Sequence, residues 1–382
     1  MAGCPGRGRG CLRRKAAIGS ILLALACSGG RPPAVDGILL VTLDTTRADR
    51  IGCYGHSKAV TPTLDRIASE GVLFSYCTTQ IPTTLSSHTT ILSSLYPRTH
   101  QVPRNGFGVP KEIRTVAQIF QEKGFRTGAF VSAFPLDRAF GLDRGFSAYD
   151  DRTDERPEGG ELERRASAVT DRAALWLARA GGEPFFLWVH YFDPHWPYDP
   201  PPPYGSLRRV PPTGLSTTSL ETLRLVRSRL TPFREEDREW FLAAYDGEIA
   251  AVDRALARLL DAVPPARRER ILVVIAGDHG EAFGEHFYFF DHGEYLWSSG
   301  VDVPLILYGP AIAPRGRVEE APVRLLDIAP TLLQAAGIPV PSDFEGESLL
   351  PAARGPIRPR LSISEASKPW NIEPEGDYKN KF

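Results

Sequence analysis

Gly37-Ile38-Leu39-Leu40-Val41-Thr42-Leu43-Asp44 is the stretch that decides the fold. An uncharged, mainly apolar run that ends abruptly on an acid reads as a strand buried on both faces, as in a parallel sheet. Ile271-Leu272-Val273-Val274-Ile275-Ala276 repeats the pattern and ends on Gly277-Asp278, and Val303 to Tyr308 is a third such run. Thr127 to Ser132 and Phe185 to Phe192 are also strand-like. Between them the spacing predicts helices over Thr61 to Glu70, with Pro62 near its start, and over Ser86 to Leu95, closed by Tyr96-Pro97. Further helices are expected over Glu161 to Ala180, Glu235 to Ala262 and Leu326 to Ala336. Strands alternating with helices imply an α/β fold whose central sheet is mostly parallel and flanked by helices. Asp150 to Gly160 and the proline-rich Asp199 to Ser216 read as flexible loops over a site mouth.

The chain has 382 residues, 42% of them hydrophobic and 24% charged, enough for a sizeable core, although length does not choose between one large domain and two ordinary ones. A net charge of -1 gives no sign of a nucleic-acid partner. Arg7, Arg9, Arg13, Arg14 and Lys15 precede the short apolar run Ala16 to Ala26. That pattern is an export signal, too short to span a membrane, and places the protein in the periplasm or on a bacterial envelope membrane. Lipoprotein-type cleavage with a membrane tether through Cys27 and ordinary cleavage near Ala26 both stay open. The expected organisation is a signal over 1–27, a linker over 28–36, a catalytic domain over 37–350 and a C-terminal remnant over 351–382. Within the folded part only Cys53 and Cys77 remain, one candidate disulfide and no framework.

Asp44 follows one buried strand and Asp278-His279 another. Ligands of parallel α/β sheets bind beyond the carboxyl ends of the strands. Either aspartate alone reads as a turn or cap residue. Together with the imidazole they make a hard-oxygen site with one nitrogen, suited to a divalent cation, Ca2+ and Mn2+ being undistinguished by this donor set. In Ile81-Pro82-Thr83-Thr84-Leu85-Ser86-Ser87-His88 a hydroxyl cluster stands before a helix whose first N–H groups would hold an anion. The plain alternative is that one of these hydroxyls is a cap. As a nucleophile a threonine needs a base or a metal. His190, inside its strand, reads as a packed side chain. His195 and His292, at loop positions beside proline or glycine, are candidates for binding oxyanion oxygens or protonating a leaving group.

Val41 to Gly55, with Asp44-Thr45-Thr46-Arg47 at its centre, resembles the opening motif of the sulfatase family of the alkaline phosphatase superfamily. So, in order, do Thr84 to Pro97, Gly277-Asp278-His279-Gly280-Glu281 with Gly284-Glu285-His286, Val303 to Pro310, and Asp327 to Leu333 with Gly346 to Leu349. The resemblance runs from about residue 37 to 350 and implies an alkaline-phosphatase-like fold with a short or truncated C-terminal subdomain. It implies that Asp44, Asp278 and His279 bind a metal with Thr84 as a further ligand, and that His195 and His292 meet the substrate oxyanion. Counting back from Tyr96-Pro97, Thr84 falls where sulfatases carry the cysteine or serine that becomes formylglycine, with Thr83 its rival by one residue. His88 stands for the arginine of the maturation pattern and joins the catalytic candidates. The second acid of the usual pair is Thr45, and Ser132 stands near a usual lysine.

No formylglycine is therefore expected. A threonine has one hydroxyl, so its ester must be broken by a second attack rather than by carbonyl formation. The resemblance implies a hydrolase of sulfate esters or of related phosphodiester or phosphonate esters, with a small-molecule, glycan or lipid ester as substrate. Fewer cations than usual favour a monoanionic group. The alternatives are a phosphoethanolamine-type headgroup transferase and a non-catalytic glycan-binding relative.

Overall fold

A computed structural model of the chain describes residues 3, 35–153, 163–207, 213–309 and 316–366. The expected leader and linker, apart from residues 3, 35 and 36, lie outside the described residues, as do Cys27 and the tail beyond 366. The strands are β1 (Gly37–Leu43), β2 (Val72–Thr78), β3 (Arg126–Phe130), β4 (Ala148–Asp150), β5 (Phe185–Tyr191), β6 (Ile271–Gly277), β7 (Asp302–Tyr308), β8 (Arg317–Glu319) and β9 (Val323–Arg324). They form one sheet in the order β4-β3-β5-β1-β6-β7-β2-β8, with β9 also pairing β2. Every described pairing is parallel except those of β7 with β6 and with β2. The third apolar run thus lies antiparallel to its neighbours.

The apolar runs are continuous because both faces are covered. Ile38 and Leu40 of β1 enter one core, with the helices Thr84–Ser93, Val116–Glu122 and Ile328–Ala335. Leu39, Val41 and Leu43 enter the other, with Pro62–Glu70, Ala166–Ala178 and Glu235–Asp261. Each buried aliphatic side chain contributes about 1.5–3 kcal/mol, so β1 and β6 anchor the sheet. Asp253 of the long helix accepts the Thr63 and Leu64 N–H groups at 3.0 and 2.8 Å, capping the start of Pro62–Glu70 from a neighbouring element.

Several expectations are corrected. The helix expected from Glu161 begins at Ala166, because Glu163 makes a β-bridge with Ala133 and Arg165 is extended. Asp193 then accepts the Ala166 N–H. The helix expected from Ser86 begins at Thr84, after an extended Thr83. The described part of Asp199 to Ser216 is not a loose loop. Leu215 is buried with Trp196, Tyr198, Phe241, Tyr245, Phe283 and Phe290, and the Asp199 N–H is held by Glu248 at 2.7 Å. Cys53 and Cys77 are free thiols, Cys77 in the first core and Cys53 against the second, on opposite sides of the sheet.

Candidate active site

The parallel register builds the site. Leu43 of β1 lies level with Gly277 of β6, so the next residue of each of these two neighbouring strands is an aspartate at a strand end. The Asp44 N–H continues the ladder to the Tyr191 carbonyl at 2.9 Å and the Asp278 N–H to Leu43 at 3.3 Å. One ligand atom from each of Asp44, Asp278 and His279 lies within 4.8 Å of the others, and all three residues are fully buried. Asp44 Oδ1 and Asp278 Oδ2 have no hydrogen-bond partner. They face His279 Nε2 at 4.0 and 3.5 Å. His279 Nδ1 donates to the Gly280 carbonyl at 3.0 Å, which leaves the lone pair of the neutral ring on Nε2.

Two carboxylates buried this closely cannot both stay charged without compensation. Burial, then the neighbouring Asp44, pushes Asp278 well above the carboxylate range. Burial also opposes ionisation of Asp44, but the hydrogen bond from His190 and the neighbouring imidazoles outweigh it and bring Asp44 down to about 2. Burial lowers His279 to about 4, keeping its ring neutral. Orphaned carboxylate oxygens converging with an imidazole lone pair are a donor set that fits a divalent cation.

Thr84 is the first residue of its helix, buried, with Oγ1 3.4 Å from His279 Nε2. Its hydroxyl therefore lies at the same cluster. Thr83, the N-cap, makes no side-chain cap bond, and its buried Oγ1 has no partner. The first-turn N–H of Leu85 is held instead by Asn105 Oδ1 at 2.8 Å. Asn105 was missed by the sequence reading.

His88 differs from its expected catalytic place. Its Nδ1 donates to the Thr84 carbonyl at 2.7 Å, and its Nε2 accepts from Thr42 Oγ1 at 2.9 Å, itself held by the Trp188 indole at 3.0 Å. Both ring nitrogens are engaged inside the protein, and burial holds the ring neutral. His88 supports the helix start rather than offering a proton or charge to a substrate. His190, expected as a packed residue, is buried but also oriented toward the site. Nδ1 accepts the Ser132 N–H at 3.4 Å, so Nε2–H donates to Asp44 Oδ2 at 3.2 Å. Ser132 donates its hydroxyl to the His190 carbonyl.

Thr45 holds φ 46, rare for a β-branched residue, while its N–H donates to Asp278 Oδ1 at 3.2 Å. Tyr245 holds this turn from the long helix, donating to the Thr45 carbonyl at 2.6 Å and accepting the Arg47 N–H at 2.9 Å. His195 and His292 lie together beside this pocket, their rings 5.7 Å apart, and the His292 ring is 4.1 Å from that of His279. Glu281, quoted in the sequence only as part of a motif, joins them: one ligand atom of each of the three lies within 4.8 Å of the others. The Tyr198 hydroxyl donates to Glu281.

A helix-flanked, mostly parallel sheet with an acidic pocket at its central strand ends defines an alkaline-phosphatase-like architecture, and solved structures agree. A complex with its substrate D-glucosamine-2-N,6-O-disulfate superposes with TM-score 0.70 at 20% identity, covering 85% of this chain and 81% of that one. The phosphonate monoester hydrolase of Agrobacterium radiobacter gives TM-score 0.67 at 22% identity, over 84% of this chain and 77% of its own. In sequence, an ulvan-active sulfatase of Formosa agariphila is 26% identical over 85% of this chain, and the match spans 66% of that relative's length. A Δ4,5-hexuronate-2-O-sulfatase of Bacteroides thetaiotaomicron is 24% identical over 87% of this chain and 75% of its own. The family profile described as Sulfatase matches residues 37–338, and the chain belongs to the sulfatase family.

Proposed function

We propose that this sulfatase-family hydrolase is cation-dependent and cleaves sulfate esters, or related phosphodiester or phosphonate esters, with Thr84 as nucleophile. The observation that carries the reading is the Thr84 hydroxyl at a helix start, 3.4 Å from His279 Nε2, against two carboxylates with orphaned oxygens. Asp44, Asp278, His279 and Thr84 would hold the ion, Ca2+ or Mn2+ by its oxygen-rich set. Bound there, it supplies the positive charge that lowers the pKa of the Thr84 hydroxyl. His190 keeps the Asp44 carboxylate oriented and charged. Thr84 gives up its hydroxyl proton to solvent, and Oγ1 attacks the sulfur or phosphorus centre as the bond to the leaving oxygen breaks, which leaves a threonyl ester. The helix start stabilises the charge that develops on the centre's oxygens. His195 and His292 meet the oxygens facing away from Thr84 and protonate the leaving group. Water then attacks the threonyl ester, because a single hydroxyl cannot expel the group by itself.

The substrate class is a small-molecule, glycan or lipid ester. Sulfated-sugar relatives support the glycan. Export through residues 1–27, with a tether at Cys27, belongs to the same proposal; lipid labelling that survives Cys27→Ala would exclude the tether. The test of function is turnover of an aryl sulfate and an aryl phosphodiester by the cation-loaded protein. Turnover of at least one, abolished by chelation and by Asp278→Ala, is expected. Turnover indifferent to both, or of neither ester under any cation, would overturn the reading.

A further inference from the structure

The loop from β6 to β7 carries Asp278, His279 and His292, and it also carries a group of large rings that the site chemistry does not use. Its first half folds back on itself. The Phe290 N–H donates to the Ala282 carbonyl at 2.6 Å and the Ala282 N–H to that of Asp291 at 3.2 Å. Phe283 and Phe290 are buried in the aromatic cluster around Tyr198, and Arg227 donates to the Phe289 carbonyl at 3.2 Å. The base of the fold-back is thus anchored, and its tip is the turn Glu285–Phe287. His286 at φ 56, Phe287 at φ 61 and Phe290 at φ 48 hold left-handed backbone with bulky side chains. Each such residue costs about 1–3 kcal/mol. Burial of the Phe290 ring offsets its share. Phe287 is 72% exposed, so little burial offsets the strain there. Strain that holds a large ring in water is a mark of a binding surface.

Phe287 does not stand alone. Tyr295 is 50% and Trp297 39% exposed. The His286 ring lies on the Trp297 indole at 3.8 Å, Tyr295 is nearly parallel to Trp297 at 6.2 Å, and Tyr288 meets Tyr295 edge-on at 5.1 Å. The Arg229 guanidinium lies 5.3 Å over the Phe287 ring. These contacts hold the rings in place, so binding costs little side-chain entropy.

Chemistry selects the occupant. A sugar ring has a face of C–H groups, which buries against the negative face of an aromatic ring, and a rim of hydroxyls. Exposed Glu294, next to Tyr295, and Arg229 stand beside the rings to meet that rim. An acyl chain needs an enclosing pocket, and an acid among the rings opposes contact with an anionic bilayer. Tyr295 follows His292 by three residues, about 10 Å of chain at full extension, within reach of a neighbouring sugar of the same glycan.

We propose that Tyr295 and Trp297, backed by His286 and with Phe287 at their edge, form a sugar-binding platform at the rim of the active site. It holds a ring of the glycan next to the one that bears the ester. This rests on the hydrolase reading above and narrows its substrate class to a glycan.

The test is binding of the full chain to an array of ulvan, carrageenan and glycosaminoglycan oligosaccharides, each in sulfated and desulfated form. The desulfated forms report on the platform without the ester, so their binding should survive chelation. Wild type should bind at least one oligosaccharide in both forms. Trp297→Ala and Tyr295→Ala, shown folded by circular dichroism, should each need roughly tenfold more protein for half-saturation. Leu175→Ala, an exposed apolar residue of another element, should bind as wild type does. Ester turnover by a wild type that binds no oligosaccharide would overturn the platform and leave the hydrolase standing. Oligosaccharide binding that both Trp297→Ala and Tyr295→Ala retain in full would also overturn it. Binding to phosphatidylglycerol vesicles that Trp297→Ala abolishes, with no oligosaccharide bound, would assign the rings to a membrane surface instead.

Discussion

Thr83 and Thr84 are adjacent hydroxyls with different surroundings, and substitution separates them. Thr84 Oγ1 lies on His279, whereas Thr83 Oγ1 is buried without a partner. Thr83→Ala should change kcat by less than about tenfold, because no bond seen here is lost. Thr84→Ser keeps a hydroxyl and should retain measurable turnover, reduced by roughly 10–100-fold through loss of the methyl group's packing and rotamer restriction. Thr84→Cys should show no formylglycine in mass spectra, since the residues that follow remain Leu85-Ser86-Ser87-His88. Tyr245→Phe removes the donor that holds the strained Thr45 turn and should weaken cation affinity by roughly 10–100-fold with the fold intact, measured by titration calorimetry. Unchanged affinity would show that the turn holds itself.

At the scale of elements, the helix Thr84–Ser93 is tied to the turn after it through His100. His100 Nδ1 accepts the Val102 N–H at 3.1 Å, so Nε2–H donates to Thr90 Oγ1 at 3.0 Å. Protonation would put a second donor against the Val102 N–H, and burial lowers the ring to about 3. The unfolded ring takes its proton near 6.5 and the folded one only near 3, so between these values the unfolded chain binds more protons. The contribution to stability is full above about pH 6.5 and falls with acid at up to ~1.4 kcal/mol per pH unit. Replacing His100 by Gln should flatten the pH dependence of unfolding free energy across that window; an unchanged slope would contradict it. The elements legible in the sequence were those with a strong pattern: β1 and β6, buried on both faces, and the long helix Glu235–Asp261. β2 was not read, because its burial breaks down after Phe74, where a register shift interrupts its pairing with β7. β4, β8 and β9 are too short to carry a period. Of the site, the strand-end acids Asp44 and Asp278 were legible because parallel sheets place ligands there. Asn105, Tyr245 and the role of Glu281 were not, because each acts on a partner remote in the chain or on side chains the fold brings together.

At the scale of the whole molecule, two buried acids share one pocket, and the proposed cation would take the place of the proton that burial beside Asp44 favours on Asp278. Chelation should lower the melting temperature of the wild type, and readded Ca2+ or Mn2+ should restore it, by up to about 2.7 kcal/mol at a hundredfold excess over Kd. Asp278→Asn should remove that response and should melt no lower than chelated wild type, because burial beside Asp44 already favours the protonated Asp278 carboxyl, which a neutral amide replaces without loss of a charge. A chelated wild type that melts as high as the loaded one would argue against an ion at Asp44 and Asp278. The sheet, both cores and the aromatic cluster around Tyr198 serve to hold that pocket against one hydroxyl. Turnover by cation-loaded Thr84→Ala, with fold checked by circular dichroism and cation content counted, measures the central claim most directly. The account predicts a loss of at least about 10³-fold against wild type with the structure retained. Turnover at the wild-type rate would contradict it and assign the attack to water or another residue.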